Sequence, residues 1–359
     1  MRTVELLDCT LRDGGWAIGF SFGDRMMQRT VESLVLAGID WIELGYLDRE
    51  AGSRPGKSMY NDAEAVSRNG SAWFPGPDDC RSHGKRLVMI DFGHFPPEEL
   101  PPAGESGLDA VRLCFHKKDA GEAVRSGREI LRKGYRLFLQ PMANSAYTDR
   151  EFRMLAEKAA ADLPGLFAFY VVDSFGCMRP EEVTGRLYLA DTILPEGIRL
   201  GLHTHNSLGL SFRNAEEAVR LPLNRDFILD ASLDGIGKGA GNLDLGRAAA
   251  LLNAAGSPRY RMECIAGAEA EVRELRKAQP RVPAEVWALA AEYRISATYA
   301  ARFWEKGITV QELEELMKAV PEDRRHAFDR DTAERLLGTL FRRPGRGGRS
   351  TSGSGTGEE

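Results

Sequence analysis

Eight short apolar, β-branched runs alternate with helix-like stretches over about the first 255 residues, and this rhythm constrains the fold more than any single motif. The predicted strands are Val4–Asp8, Trp41–Gly45, Arg86–Asp91, Ala110–Phe115, Tyr135–Gln140, Phe167–Asp173, Ile198–His203 and Phe227–Ala231. Between them the pattern predicts helices over Asp24–Ala37, Ala120–Lys133, Asp149–Asp162, Pro180–Leu189, Leu210–Leu221 and Leu243–Ala255. Eight such units in this length are the size expected of one (β/α)8 TIM barrel. A doubly wound open sheet competes, but it would want a GxGxxG turn after its first strand. The chain has CTLRDGGW there, and the Gly-rich run Gly235–Asn242 also misses the spacing.

The composition changes at Gly256-Ser257-Pro258. Beyond it come only helical patterns, Ala266–Ala278, Ala284–Tyr293, Thr298–Glu305, Val310–Ala319 and Asp331–Leu340. The expected organisation is a barrel over residues 1–255, an all-helical C-terminal extension over 256–341 and a disordered tail over 342–359. The tail, RRPGRGGRSTSGSGTGEE, is too rich in Gly, Ser and Arg to bury a core. No apolar run approaches the ~20 residues of a membrane helix, and no secretory leader is evident. Net charge is -5, which argues against a general nucleic-acid surface. Cys9, Cys80, Cys114, Cys177 and Cys264 are odd in number and lack CxxC spacing, which fits a reducing cytoplasm rather than a disulfide frame.

In a β/α barrel, chemistry sits just past the C-terminal ends of the strands. Polar residues gather at that phase: Arg12 and Asp13; Glu43, Tyr46 and Asp48; Asp91 and His94; His116; Asp173 and Ser174; His203, His205 and Asn206; Asp230, Asp234, Lys238 and Asn242. His203 and His205 close a strand, and side chains two apart on a strand share a face, so both imidazoles can reach one point. With only six His in 359 residues, a divalent cation is the reading that explains the pair better than coincidence. Two imidazoles and one carboxylate leave open positions for substrate and water. Such a set suits Mn, Mg, Co or Zn, and it also occurs in facial-triad Fe(II) oxygenases. Asp8 is expected to stabilise its strand end, and Asp173, Ser174 and Asp230 could be satisfied at helix starts. Arg12 could pair with Glu43 or Asp8, whereas Glu43, buried, needs a partner or a raised pKa.

The motifs LLDCTLRDGGW (6–16), IELG (42–45), DSFGCM (173–178), HTHNSLGL (203–210) and GKGAGN (237–242) resemble the DRE-TIM metallolyase (HMGL-like) superfamily. Its members include hydroxymethylglutaryl-CoA lyase, isopropylmalate and homocitrate synthases and 4-hydroxy-2-oxovalerate aldolase. DSFGCM and the helical extension look most like the aldolase branch, in which a comparable extension contacts a partner dehydrogenase. The resemblance implies a carbon–carbon lyase that acts on a small 4-hydroxy-2-keto acid with a divalent metal, Mn favoured. It implies Asp13, His203 and His205 as ligands, with Asn242 in their outer shell. It implies Arg12 opposite the substrate oxygen, Glu43 beside the reacting centre and His116 as a catalytic histidine. Arg12, Tyr46, Ser174 and Asn206 are the expected substrate contacts. One position departs from the pattern: the aldolases carry a histidine three residues after the ligand Asp, and here that residue is Trp16, which cannot accept a proton. His116, then His94 and Tyr46, are the replacement bases to consider. Alternatives are an acyl-CoA-using Claisen synthase or lyase, although the CoA lyases' cysteine is missing from Gly235-Ile236-Gly237, or a non-catalytic barrel. A second copy or a dehydrogenase would bind through the C-terminal helices; no nucleic acid or membrane partner is expected.

Overall fold

The computed structural model describes residues 2–74, 84–256, 258–279 and 281–342. The expected tail, apart from Arg342, and Cys80 lie outside the described residues. Nine parallel strands form one sheet: β1 Val4–Asp8, β2 Trp41–Leu47, β3 Met59–Tyr60, β4 Lys85–Asp91, β5 Ala110–Phe115, β6 Arg136–Pro141, β7 Ala168–Asp173, β8 Arg199–Thr204 and β9 Phe227–Ala231. Their order is β1-β9-β8-β7-β6-β5-β4-β2, and the pairing of β1 with β2 closes the cylinder. The chain is therefore a (β/α)8 barrel, with β3 as a two-residue appendage on β2. Strands buried on both faces read as continuous apolar runs, which is why the eight were visible in the sequence to within two residues at each end.

Helices return most of the strands. Asp149–Asp162 has the predicted bounds because Thr148 and Glu151 form a capping box at its start. Ala63–Trp73 is a helix the pattern did not announce. After β4 the return shrinks to single turns, Pro97–Glu99 and Ala103–Ser106, because Pro96, Pro97, Pro101 and Pro102 cannot sustain a helix interior.

The lumen is layered. Leu7, Trp41, Leu87, Ala110, Phe138, Ala168 and Ile228 fill its lower end as one buried apolar cluster. Two residues along the same strands, and so on the same face, come Glu43, Arg112, Gln140 and Asp230, all buried. The register of β2 against β4 shifts between Glu43 and Tyr46. Without that bulge, residues three apart would point to opposite faces; with it, Glu43 and Tyr46 both face inward. Gly45 makes the bulge possible: its φ is +148°, and a Cβ there would fall 2.1 Å from the Ser58 carbonyl oxygen.

Beyond β9 all described elements are helical. Met262–Lys277 packs Ile265, Ala268 and Val272 into the barrel's outer core, whereas residues from Val286 to Leu340 form a second apolar cluster of their own. No described helix is long and apolar enough to cross a membrane.

Gly201 on β8 tests the lumen packing, since a Cβ there would fall 2.3 Å from the Tyr170 ring. Gly201→Ala should lower stability by about 1–3 kcal/mol through overpacking, as read from the urea midpoint at unchanged slope. An unchanged midpoint would mean that the ring is free to move.

Candidate metal centre

The first ligand is placed by a sharp turn at the end of β1. Asp8 accepts hydrogen bonds from the Thr10 backbone N–H (3.1 Å) and hydroxyl (2.7 Å), which fixes the one-turn helix Thr10–Asp13. Burial pushes the Asp8 carboxyl up to about 7, against these two hydrogen bonds. It supports the strand end and does not reach the ligands. Asp13 then projects into the barrel mouth, where β8 delivers His203 and, just past its end, His205. Asp13, His203 and His205 are buried, and each offers a ligand atom within 4.8 Å of the other two. That spacing is close to what a cation bonded at ~2.0–2.2 Å can span.

Three further observations show that the residues present fit a cation. His203 turns Nδ1 toward Asp230 Oδ2 at 3.1 Å, the second-sphere contact that aims the other ring nitrogen at an ion. Asn242 donates to Asp13 Oδ2 at 2.9 Å, as does the Lys238 backbone N–H at 3.2 Å. His205 Nδ1, Asn242 Oδ1 and Arg12 Nη2 are buried without a hydrogen-bond partner, and buried polar atoms normally have one.

A continuous run of charge holds this centre. Arg12 binds Asp13 through Nη1 (2.6 Å) and Glu43 through Nε (2.8 Å). Arg112 lies 3.0 Å from the other Glu43 oxygen and 2.5 Å from Asp230 Oδ2. Asp230 also accepts from the Tyr170 hydroxyl at 3.0 Å and so returns the run to His203. Burial alone would raise the Asp13 pKa, but Arg12 and the two imidazoles hold it well below the usual carboxylate range. Burial likewise opposes the charge on Asp230, and Arg112 and His203 outweigh it. For His205, burial wins over Asp13 and pulls the pKa down to about 4, which leaves the neutral form that binds metal.

Above the ligands lies a cavity of about 280 Å³. Arg12, Tyr46, His116 and Ser174 all line it. Glu43 does not; it sits beneath Arg12, fully buried between two guanidinium groups. Asn206 is directed elsewhere, its side-chain oxygen accepting from the backbone N–H and hydroxyl of Ser211. Ser174 caps backbone as well as facing the cavity, through a bond from the Ala143 N–H (2.9 Å). Asp173 accepts from the backbone N–H groups of Cys177 and Met178, both at 3.0 Å. Trp16 also lines the cavity, edge-on to Phe20 and Tyr46.

The sequence did not single out three site residues. Arg112 left a usable signal, a lone charge inside the apolar strand AVRLCF. Lys238 was visible only as part of a polar cluster. His326 comes from the helical extension, stacks on Phe175 at 5.9 Å between centroids and lines the cavity with Ser296–Thr298; nothing local marks it.

The class the structure defines is a (β/α)8 barrel whose C-terminal mouth gathers two imidazoles, a carboxylate and a buried arginine beside a small cavity. Comparison with known proteins shows what the chain is similar to. The HMGL-like family model matches residues 118–280. A 4-hydroxy-2-oxovalerate aldolase of Geobacillus genomosp. 3 is 27% identical over 253 residues, 67% of this chain and 68% of that one. An oxaloacetate decarboxylase of Mycobacterium tuberculosis is 28% identical over 245 residues, 68% of each chain. The solved N-terminal domain of an aldolase candidate from Bacteroides vulgatus superposes with a TM-score of 0.68 at 22% identity, covering 83% of this chain and 96% of that one, and shares the fold. The chain is thus similar to HMGL-like proteins, 4-hydroxy-2-oxovalerate aldolases among them.

Asp230 offers a test of the second sphere. Asp230→Asn should keep the fold but weaken metal affinity by about 10–100-fold, measured by competition with a chromogenic chelator. Wild-type affinity in the variant would show that His203 needs no such support.

Proposed function

We propose that this protein is a metal-dependent lyase that cleaves or forms a carbon–carbon bond of a 4-hydroxy-2-keto acid, in the manner of the 4-hydroxy-2-oxovalerate aldolases it resembles. The observation that carries the reading is Arg12, whose Nη2 is buried without a partner, lining a small cavity together with the Asp13, His203 and His205 cluster. When bound there, a divalent cation (Mn favoured over Mg, Co or Zn) would supply Lewis-acid stabilisation of developing negative charge. Asp13, His203 and His205 would hold it, with Asn242 steadying Asp13.

Arg12 donates to the keto oxygen of the substrate as negative charge develops there, a task its fixed fork suits. Glu43, clamped by Arg12 and Arg112, positions that guanidinium rather than touching substrate. His116 faces the cavity, and burial lowers its pKa, so the ring is neutral and able to accept a proton at neutral pH. It takes the proton of the 4-hydroxyl group; the C3–C4 bond breaks, an aldehyde leaves and the electron pair becomes the enolate of pyruvate. Protonation at C3 releases pyruvate. Tyr46 suits donation instead, because burial holds its phenol protonated far above neutral pH. Ser174 adds a hydroxyl to the cavity wall.

The acyl-CoA alternative has less support. A cavity of about 280 Å³ sits at the low end of the ~300–1,000 Å³ of small-molecule pockets. The loop that carries the CoA lyases' cysteine is closed around Gly237, where a Cβ would meet Asn242 at 2.4 Å. A second reading, decarboxylation of a 2-keto acid bearing a carboxylate on C3, draws on the Mycobacterium tuberculosis relative. It forms the same enolate without a base and so suits Trp16, which cannot take a proton. Residues 1–255 would carry the chemistry and 256–341 would roof it. The outer faces of those helices are where a second copy or a dehydrogenase would dock.

A panel of keto acids assayed with Mn and with Mg, for aldehyde and pyruvate on one side and CO2 on the other, separates the two reactions. Arg12→Ala should retain metal by elemental analysis and lose about 10²–10³ in turnover, whereas His203→Ala should lose the metal itself. Near-normal turnover in Arg12→Ala would remove Arg12 from the chemistry.

A further inference from the structure

Lys238 differs from the two arginines at the base of the barrel mouth. Arg12 and Arg112 are spent on Asp13, Glu43 and Asp230. The Lys238 ammonium lines the same cavity, yet it makes no ion pair or hydrogen bond with any described residue. What it meets is the face of Trp16, 5.0 Å from the ring centroid. A contact of this kind holds an ammonium in place without neutralising it.

The root of the side chain is fixed just as firmly. The Lys238 backbone N–H donates to Asp13 Oδ2 at 3.2 Å. Gly237 before it packs so closely that a Cβ would fall 2.7 Å from the same oxygen. The charge it carries is felt by both Asp91 and His116. Asp91 is the other carboxylate lining the cavity, and it shares the lysine's field without pairing with it. Two cationic side chains with spare donors therefore line one small cavity: Arg12, whose Nη2 has no partner, and Lys238, whose Nζ stands on the indole.

We propose that Lys238 recognises a second anionic group, so that the substrate is a 2-keto acid carrying a further carboxylate at its far end. The inference rests on the keto-acid reading above and narrows its substrate class. The keto acid end engages Arg12, while the distal carboxylate reaches the ammonium, a compact charge with three rotatable donors that suits a group approaching end-on. Trp16 acts as the platform that keeps the lysine extended.

The test is calorimetric and needs no turnover. Mn-loaded full-length protein is titrated with acids matched in chain length, 2-oxovalerate against 2-oxoglutarate and 2-oxohexanoate against 2-oxoadipate. In at least one pair the diacid should bind wild type about tenfold more tightly than the monoacid, equal to about 1.4 kcal/mol. In Lys238→Met, which keeps the aliphatic stem over Trp16, that gap should close to about threefold or less, with the monoacid little changed. Lys238→Arg should retain it. No gap in wild type, a gap that survives in Lys238→Met, or equal loss for both acids would overturn the inference. If the Mn-loaded protein binds none of these acids, the keto-acid reading fails and the inference goes with it.

Discussion

The structure turns on one unbroken run of buried polar contacts inside the barrel: Asp13, Arg12, Glu43, Arg112, Asp230 and His203. Burying any of these alone would be prohibitive, because an isolated charge loses its hydration and gains nothing in return. Buried pairs are poor sources of stability but are strongly destabilising to break, typically by about 3–5 kcal/mol. The run is therefore a positioning device. Each member is held by its two neighbours, and the two ends, Asp13 and His203, are both candidate ligands. Arg112 does not line the cavity, yet through Glu43 and Asp230 it links the half that carries Arg12 to the half that carries His203.

Charge counting explains why such a run suits a cation. Three carboxylates and two guanidinium groups leave one net negative charge in the barrel. A divalent ion at Asp13, His203 and His205 would turn that into one net positive charge. The pKa shifts agree with this design. Asp13 and Asp230 are held ionised and His205 is held neutral, so Asp13 and His205 are in the protonation states that bind metal.

Much of this was legible in the chain, for definite reasons. The strands showed because both their faces are buried, and Asp13, His203 and His205 showed because they fall at the same phase of the β/α unit. Helices appeared where local chemistry defines them, as at Thr148 and Glu151, and were missed where it does not, as in Ala63–Trp73 with Gly70 inside an otherwise mixed pattern. The inward position of Tyr46 together with Glu43 was hidden, since their odd spacing is corrected only by the bulge at Gly45. The fate of Asn206 was hidden too, because a strand-end residue can turn to cap the next helix as readily as face the mouth. His326 could not be read at all. It reaches the cavity only because the extension packs over the barrel, a contact between segments far apart in sequence.

Trp16 then acquires a physical meaning beyond the loss of a base. An imidazole at that position, flanked by Asp13 and Lys238, would exchange protons; an indole exchanges none and offers a broad π face instead. The same substitution that removes a proton acceptor thus provides a seat for an uncompensated ammonium 5.0 Å away. His116, just past the end of β5, is the imidazole that also lines this cavity, and the space beside Trp16 is given to fixed positive charge. A barrel with an imidazole at this place and one with an indole can keep the same strands while differing in what they present to the cavity. Differences of that kind, carried by the loops rather than the strands, are how one barrel serves many substrates.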